Sequence, residues 1–100
     1  IMDYLDTPVP PDWSKRDLAN RRMYLEGAMQ YDGPLIPRDK VCAMELWCEA
    51  LGNDQRLFKK TEARELNSIL ERMPGWKRME NPSRFGYCKL QRGFEKAVTF

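Results

Sequence analysis

The sequence predicts one small α+β domain that is mainly helical. A length of 100 residues is typical of a single domain. The middle of the chain has apolar residues three or four positions apart, which is the period of a helix, and the last quarter changes to strand-like runs bounded by turn residues. With 42% hydrophobic and 32% charged residues, the composition fits a globular chain.

The chain is expected to begin with a linker, residues 1–11. Its run Pro8-Val9-Pro10-Pro11 removes backbone donors and disfavours a helix before each proline. The folded domain is therefore predicted to span residues 12–100. Because the chain starts with Ile1 rather than methionine, we expect it to be a segment of a longer protein.

Three helices follow in the prediction. The first covers residues 12–29, and Leu35-Ile36 after it is expected to be a short extended piece. The second, 38–51, has a wide apolar stripe and is expected to be central and largely buried. The third, 60–73, has Thr61 as a possible N-terminal cap and ends at a proline-glycine pair.

A β-hairpin is predicted after the third helix. Its strands are 76–80 and 85–94, joined by a turn or short loop at 81–84. One face of the second strand is expected to carry Cys88, Leu90 and Phe94. An isolated hairpin is marginal in water, so we expect the helices to cover one of its faces. Three helices followed by such a hairpin are the order of a winged helix-turn-helix, in which the hairpin is the wing.

Positive charge is concentrated near the C-terminal end of the chain. The formal net charge is only +2, but residues 1–37 carry four cations and six acids, whereas 72–96 carry seven cations and two acids. A local basic surface attracts polyanions whatever the total charge is.

The third helix and the hairpin together form the candidate DNA-binding surface. A recognition helix reads bases through Arg, Asn, Ser and Thr and uses Lys and Arg on phosphates, and a basic wing replaces condensed counterions. Two ordinary readings stay open: a solvated helix face, and cations that protect a sheet edge. The candidate DNA-binding residues are Lys60, Thr61, Arg64, Ser68 and Arg72 on the helix and Lys77, Arg78, Arg84, Lys89 and Arg92 on the hairpin.

Little in the sequence points to catalysis. The chain has no histidine, the commonest general base and metal ligand. Glu45 and Glu49 lie one helical turn apart and are expected to be a surface pair. The cysteines, at positions 42, 48 and 88, are odd in number and not in a CxxC spacing, which favours a reduced, cytoplasmic setting and a core role. We therefore predict no catalytic residue, metal or cofactor, and no membrane segment.

Several blocks resemble the C-terminal region of the virulence-associated protein E family, whose phage- and island-encoded members have a helicase-like ATPase related to viral primase-helicases. The similar blocks are RRMYLEG (21–27), RDKVCAMELWCEAL (38–51), ELNSILERMPGW (65–76) and RFGYCKLQRGF (84–94). The resemblance covers most of the chain and implies a replication-associated domain that follows the ATPase. No P-loop motif occurs here, so nucleotide binding would belong to another part of the parent protein.

Two functions are therefore expected from the sequence. The first is a non-catalytic winged-helix module that binds duplex or forked DNA beside the ATPase domain of its parent protein. The alternative is a protein-interaction or oligomerisation domain of the same protein, since a fold does not fix a function. An exposed apolar patch around Trp13, Tyr24 or Tyr31 would support that alternative.

Overall fold

Four α-helices and two small antiparallel sheets make up residues 1–97, the part of the chain that the computed structural model describes. The predicted α+β class is confirmed. Three short 3₁₀ turns join the elements, at Trp13–Lys15, Gln55–Leu57 and Gly86–Cys88. The helices and strands are α1 (Met2–Asp6), α2 (Leu18–Leu25), β1 (Lys40–Cys42), α3 (Ala43–Glu45, continued by a π-helical turn at Leu46–Ala50), α4 (Lys60–Glu71), β2 (Trp76–Arg78), β3 (Ser83–Arg84), β4 (Leu90–Gln91) and β5 (Gly93–Lys96).

The larger sheet has the strand order β1-β5-β2, and both pairings are antiparallel. Phe94 of the central strand lies opposite Val41 on one side and Arg78 on the other. Val41 and Phe94 are almost completely buried. The sheet therefore joins a strand that precedes α3 to two strands that follow α4.

The predicted hairpin is only partly present. Strand β2 is shorter than the predicted 76–80 strand, and the predicted 85–94 strand is divided between a 3₁₀ turn and two strands. A second hairpin, β3–β4, is inserted between β2 and β5. The prediction that Cys88, Leu90 and Phe94 lie on one face of a strand is wrong, because Cys88 and Phe94 are buried whereas Leu90 is 61% exposed.

Gly93 allows the inserted hairpin to fold against the sheet. A Cβ at this position would lie 2.4 Å from the Phe85 Cζ atom and 2.7 Å from the Val41 carbonyl oxygen. Real Cβ atoms do not approach other atoms so closely, so no side chain fits there without a shift. The buried Phe85 ring occupies this space and packs with Cys42 and Cys88.

Helix α4 closely matches its prediction, with Leu66 and Leu70 buried in the main core. The predicted cap at Thr61 is wrong. The Glu62 carboxylate instead accepts a hydrogen bond from the Lys59 backbone N–H at 3.1 Å. The buried residues of the main core are Tyr4, Leu5, Val41, Ala43, Leu46, Leu66, Leu70, Trp76 and Phe94.

The predicted helix over 38–51 begins too early. Residues 40–42 are a strand, and their backbone groups pair with β5. The helix starts at Ala43 and its second half is π-helical, with the Leu51 N–H donating to the Leu46 carbonyl at 3.0 Å. The strand that pairs with residues 40–42 lies about fifty residues away in the sequence, so the local spacing of apolar residues does not reveal it. That spacing therefore predicted a helix that included residues 40–42.

The N-terminal residues pack on the domain. Residues 1–11, predicted to be a linker, include α1, whose Tyr4 and Leu5 lie in the main core. Val9 pairs with Ile36 through two backbone hydrogen bonds of 2.8 Å, which confirms that Ile36 is extended.

The predicted helix over 12–29 is shorter in the structure. Only residues 18–25 are α-helical, and the Asp17 carboxylate caps them by accepting from the Asn20 N–H at 2.8 Å. This cap starts the helix after the 3₁₀ turn that contains Trp13.

Candidate nucleic-acid interface

The exposed face of α4 carries all five helix residues that the sequence predicted to bind DNA. At about 100° per residue they fall within an arc of roughly 120°, on the side opposite Leu66 and Leu70. Every one of them is exposed. These residues, called the α4 face below, are Lys60, Thr61, Arg64, Ser68 and Arg72.

Acidic side chains border the α4 face and neutralise part of the neighbouring strand. Arg78 on β2 donates its Nε–H to the Glu71 Oε1 atom at 3.0 Å, and its Nη2 atom contacts the same oxygen. Lys77 pairs with Glu95 across the sheet at 3.5 Å. Arg78 and Lys77, both predicted to bind DNA, are therefore weaker candidates for phosphate binding than the cations of the inserted hairpin.

The inserted hairpin presents Arg84, Lys89 and Arg92 to solvent. None of the three forms an ion pair with an acid of residues 1–97. Lys40 anchors the hairpin to β1, because its ammonium group donates to the Ser83 hydroxyl at 2.9 Å and to the Arg84 carbonyl at 2.6 Å. The role of Lys40 was missed because only the fold brings it to the hairpin.

A groove lies between α4 and the inserted hairpin. Its volume is about 330 Å³. Ala63 and Asn67 line it from the helix, while Leu90, Gln91 and Arg92 line it from the hairpin side. The fold thus brings the edge of the α4 face next to one of the three hairpin cations. Asn67, which the sequence reasoning left out, adds an amide that can both donate and accept hydrogen bonds.

A buried ionic cluster ties α2 and α3 together. The Arg21 Nη1 atom contacts the Glu45 carboxylate at 2.6 Å and the Glu49 carboxylate at 2.8 Å. Tyr4 and Tyr87 both donate their hydroxyls to Glu49, at 2.8 and 2.6 Å. The prediction of a surface pair of glutamates is wrong, because both side chains are buried around Arg21.

Burial shifts the protonation of this cluster. Desolvation and the neighbouring Glu49 charge raise the pKa of Glu45 to about 7. Burial by itself would lower the pKa of Arg21. The Glu49 and Glu45 carboxylates raise it by more than burial lowers it, so the pKa lies above its ordinary value and the guanidinium stays charged. Burial and the Glu49 charge also raise the pKa of Tyr87, so its hydroxyl stays protonated and donates. The cluster holds α2, α3 and the Tyr87 turn in fixed relative positions.

The three cysteines are buried thiols. A hydrogen bond with Cys88, together with burial, raises the pKa of Cys42, and burial raises the pKa of Cys48 to about 11. Neither thiol is therefore activated as a thiolate nucleophile. In residues 1–97 no group of three or more His, Cys, Asp or Glu side chains is placed to hold a metal ion.

The aromatic patch that would favour a protein-interaction role is largely covered. Trp13 is only 8% exposed, and Tyr24 packs edge-on against it at 5.6 Å between ring centroids. Tyr31 is half-buried beneath the Arg16 guanidinium. A search of residues 1–97 finds no helix with the length and apolar character needed to cross a bilayer.

Comparisons with models of protein families and with curated proteins give no match. The resemblance to the virulence-associated protein E family therefore stays an expectation from the sequence.

Proposed function

We propose that this chain is a non-catalytic DNA-binding module with a winged helix-turn-helix arrangement, in which α4 is the recognition helix and the inserted hairpin is the wing. The observation that carries the proposal is the pairing of the α4 face with an adjacent basic hairpin. Arg64, Arg72 and Arg92 are exposed there and form no ion pair within the described residues. Cations left without acids on one surface are suited to phosphates.

The order of the elements supports the winged-helix assignment. A strand before α3 pairs with β5, which also pairs with β2 after α4. This places the hairpin strands against the helices instead of leaving them isolated. The connection between α3 and α4, residues 51–59, is longer than the three or four residues of a tight helix-turn-helix.

The binding surface favours contacts with the DNA backbone over base reading. Its cations are long, flexible side chains, and its polar base-reading candidates are Thr61, Ser68 and Asn67. Glu65 and Glu71 on the same helix oppose close approach to phosphates. We therefore expect modest affinity that depends on salt and varies little with sequence.

A parent protein would strengthen such a module. If the chain follows a helicase-like ATPase, as its resemblance implies, several copies attached to a ring would raise the effective concentration at DNA. A weak individual domain would then be sufficient at a replication fork.

The test is a fluorescence-anisotropy titration with the double variant Arg64→Gln/Arg72→Gln. We expect the variant to bind duplex DNA about tenfold or more weakly and to reduce the slope of log affinity against log salt by about one to two, because two phosphate contacts are lost.

The matched control is Arg56→Gln. Arg56 is exposed and lies with α2 at a different surface, where it pairs with Asp54 at 2.9 Å. The Arg56→Gln substitution removes one positive charge and leaves the α4 face unchanged, so the affinity for DNA should barely change. Equal losses in the control and in the double variant would reject the α4 face as the binding surface. Absence of DNA binding by the folded wild-type chain would favour the protein-interaction alternative.

A further inference from the structure

A second basic site lies on the side of the inserted hairpin that faces α2 and the N-terminal segment. It is a cavity of about 220 Å³. A water molecule takes about 30 Å³ in the liquid, so the cavity has room for a group several times that size. Its walls include the apolar side chains of Val9, Ile36 and Phe85.

Arg38 is the central feature of this cavity. Arg38 belongs to the cavity lining and is only 3% exposed. None of its three guanidinium nitrogens has a hydrogen-bond partner within the described chain. The guanidinium lies over the Tyr4 ring at 4.2 Å and near the Trp13 ring at 5.6 Å. These rings offset part of the cost of a buried cation but accept none of its N–H groups in plane.

Two further residues of the cavity lining carry donors of this kind. The Trp13 Nε1 and Arg21 Nε atoms are buried and, like the nitrogens of Arg38, lack a hydrogen-bond partner in residues 1–97. The Glu45 carboxylate, which also belongs to the cavity lining, is already engaged by Arg21 and by the Cys42 N–H at 3.0 Å. Three residues of the cavity lining therefore carry five buried donor nitrogens without a partner among the described residues. Buried donors are normally satisfied, so this set calls for an acceptor-rich ligand.

The charge around the cavity has the sign that such a ligand needs. Four cations and two acids line it. Glu49 contacts Arg21 from outside the lining. When its negative charge is included, these residues together still have one positive charge in excess. A phosphoryl group carries a charge of about −1.5 to −2 at pH 7 and only acceptor oxygens. The lining cations are Arg21, Arg38, Lys40 and Arg84, and the acids are Asp39 and Glu45.

We propose that this cavity binds a phosphoryl group, with Arg38 as its main ligand and Trp13 and Arg21 as additional donors. The guanidinium fork matches phosphate oxygens through two parallel hydrogen bonds. A single carboxylate accepts hydrogen bonds mainly in its own plane and could not satisfy five donor nitrogens. A tetrahedral phosphoryl group accepts from several directions and suits them better.

The phosphoryl group has two possible sources. One is free phosphate or a small phosphate ester. The other is the terminal phosphate of a DNA strand, because Arg84 belongs both to the cavity lining and to the hairpin of the candidate DNA-binding surface. The strand-end source rests on the proposed DNA-binding function, whereas the free-phosphate source does not.

The test uses the indole N–H signals of the three tryptophans in two-dimensional NMR while inorganic phosphate is added at constant ionic strength. The Trp13 signal is expected to shift and saturate. Trp47 is the internal control, because its Nε1–H already donates to the Asp54 carbonyl at 2.8 Å. In Arg38→Met the saturable shift of Trp13 should disappear, whereas Arg92→Met, at an exposed arginine outside the cavity, should retain it.

A second variant covers the case in which Arg38→Met does not fold. Arg38→Lys keeps the charge but lacks the guanidinium fork, so we expect its phosphate affinity to fall by about tenfold. The absence of a saturable Trp13 shift in the wild type, or unchanged affinity in the folded Arg38 variants, would overturn the proposal. An equal response to acetate would also overturn it, by reassigning the site to carboxylates.

The two sources are separated with oligonucleotides that differ only in a 5′-phosphate or a 5′-hydroxyl. Tighter binding of the phosphorylated strand, lost in the Arg38 variant, assigns the cavity to strand ends. Saturable binding of inorganic phosphate without that preference assigns it to free phosphate esters. The Arg64→Gln/Arg72→Gln variant should keep phosphate binding, so failure of the DNA-binding proposal and failure of the cavity proposal give different results.

Discussion

Removal of the Arg21 cation should destabilise this domain more than any change at its exposed arginines. Arg21 is 1% exposed and contacts two buried carboxylates at 2.6 and 2.8 Å. Arg21→Met keeps most of the side-chain volume but leaves Glu45 and Glu49 as like charges in the interior. Breaking a buried ion pair from one side costs about 3–5 kcal/mol. A domain of this size has a total stability of about 5–15 kcal/mol, so the variant would lose a large fraction of it.

The assay is urea unfolding followed by circular dichroism at pH 5 and pH 8. The pKa of Glu45 is already raised to about 7 in the folded protein, and loss of the Arg21 charge, which acts to lower this pKa, raises it further. The stability that a raised folded pKa contributes is present at low pH and lost as the pH rises through that pKa. The destabilisation should therefore be smaller at pH 5 than at pH 8.

The triple variant Arg21→Met/Glu45→Gln/Glu49→Gln removes all three charges and should recover much of the lost stability, because no uncompensated charge remains inside. Arg56→Met is the exposed control and should change stability by about 0.5 kcal/mol or less. If Arg21→Met resembles this control, or if it is equally destabilised at both pH values, the buried cluster does not hold the fold together as described.

Three further predictions concern stability and use the same unfolding assay. The wild type should be more stable near pH 5 than near pH 8 by up to about 3 kcal/mol. The reason is that Glu45 has a folded pKa of about 7 against an ordinary value near 4.5, and each pKa unit corresponds to about 1.36 kcal/mol. A stability that does not change with pH would contradict this. Gly93→Ala should cost about 2–3 kcal/mol, since its methyl group would meet the Phe85 ring and the Val41 carbonyl, and an unchanged midpoint would show that the hairpin packs elsewhere. Lys89→Gly should stabilise the chain by about 1 kcal/mol, because Lys89 has φ +61°, and any loss of stability would argue against this turn.

Helix α4 and the exposure of the candidate surface were predictable because both depend on local information. The apolar period of residues 60–73 fixes which side of the helix faces the core, and the opposite side then has to be exposed. Placing Lys60 and Arg64 on that side needed no knowledge of the rest of the fold.

The strand β1 and the N-terminal contacts were not predictable in this way. Lys40–Cys42 follows the helical period of the residues after it, and only its pairing with β5 makes it a strand. Tyr4 and Leu5 precede a proline-rich run that looks like a linker, yet both are buried in the core. Tertiary contacts override local propensity in both places.

The buried charges were the largest omission at the site level. The sequence predicted a surface position for Glu45 and Glu49 and did not single out Arg21, because charged residues are rarely buried unless paired. The pairing depends on how α2 packs against α3, which the sequence pattern does not specify. The signal of it was the position of two acids, Glu45 and Glu49, which flank Leu46 and Cys48 within the apolar helix.

The most direct test of the central proposal is the salt dependence of DNA binding. Anisotropy titrations of the wild type and of Arg64→Gln/Arg72→Gln would be made with duplex, forked and single-stranded DNA at two salt concentrations. The account predicts binding that weakens as salt rises, with a smaller salt slope in the variant. Folded protein that does not bind at low salt, or binding with the same slope in both proteins, would contradict it.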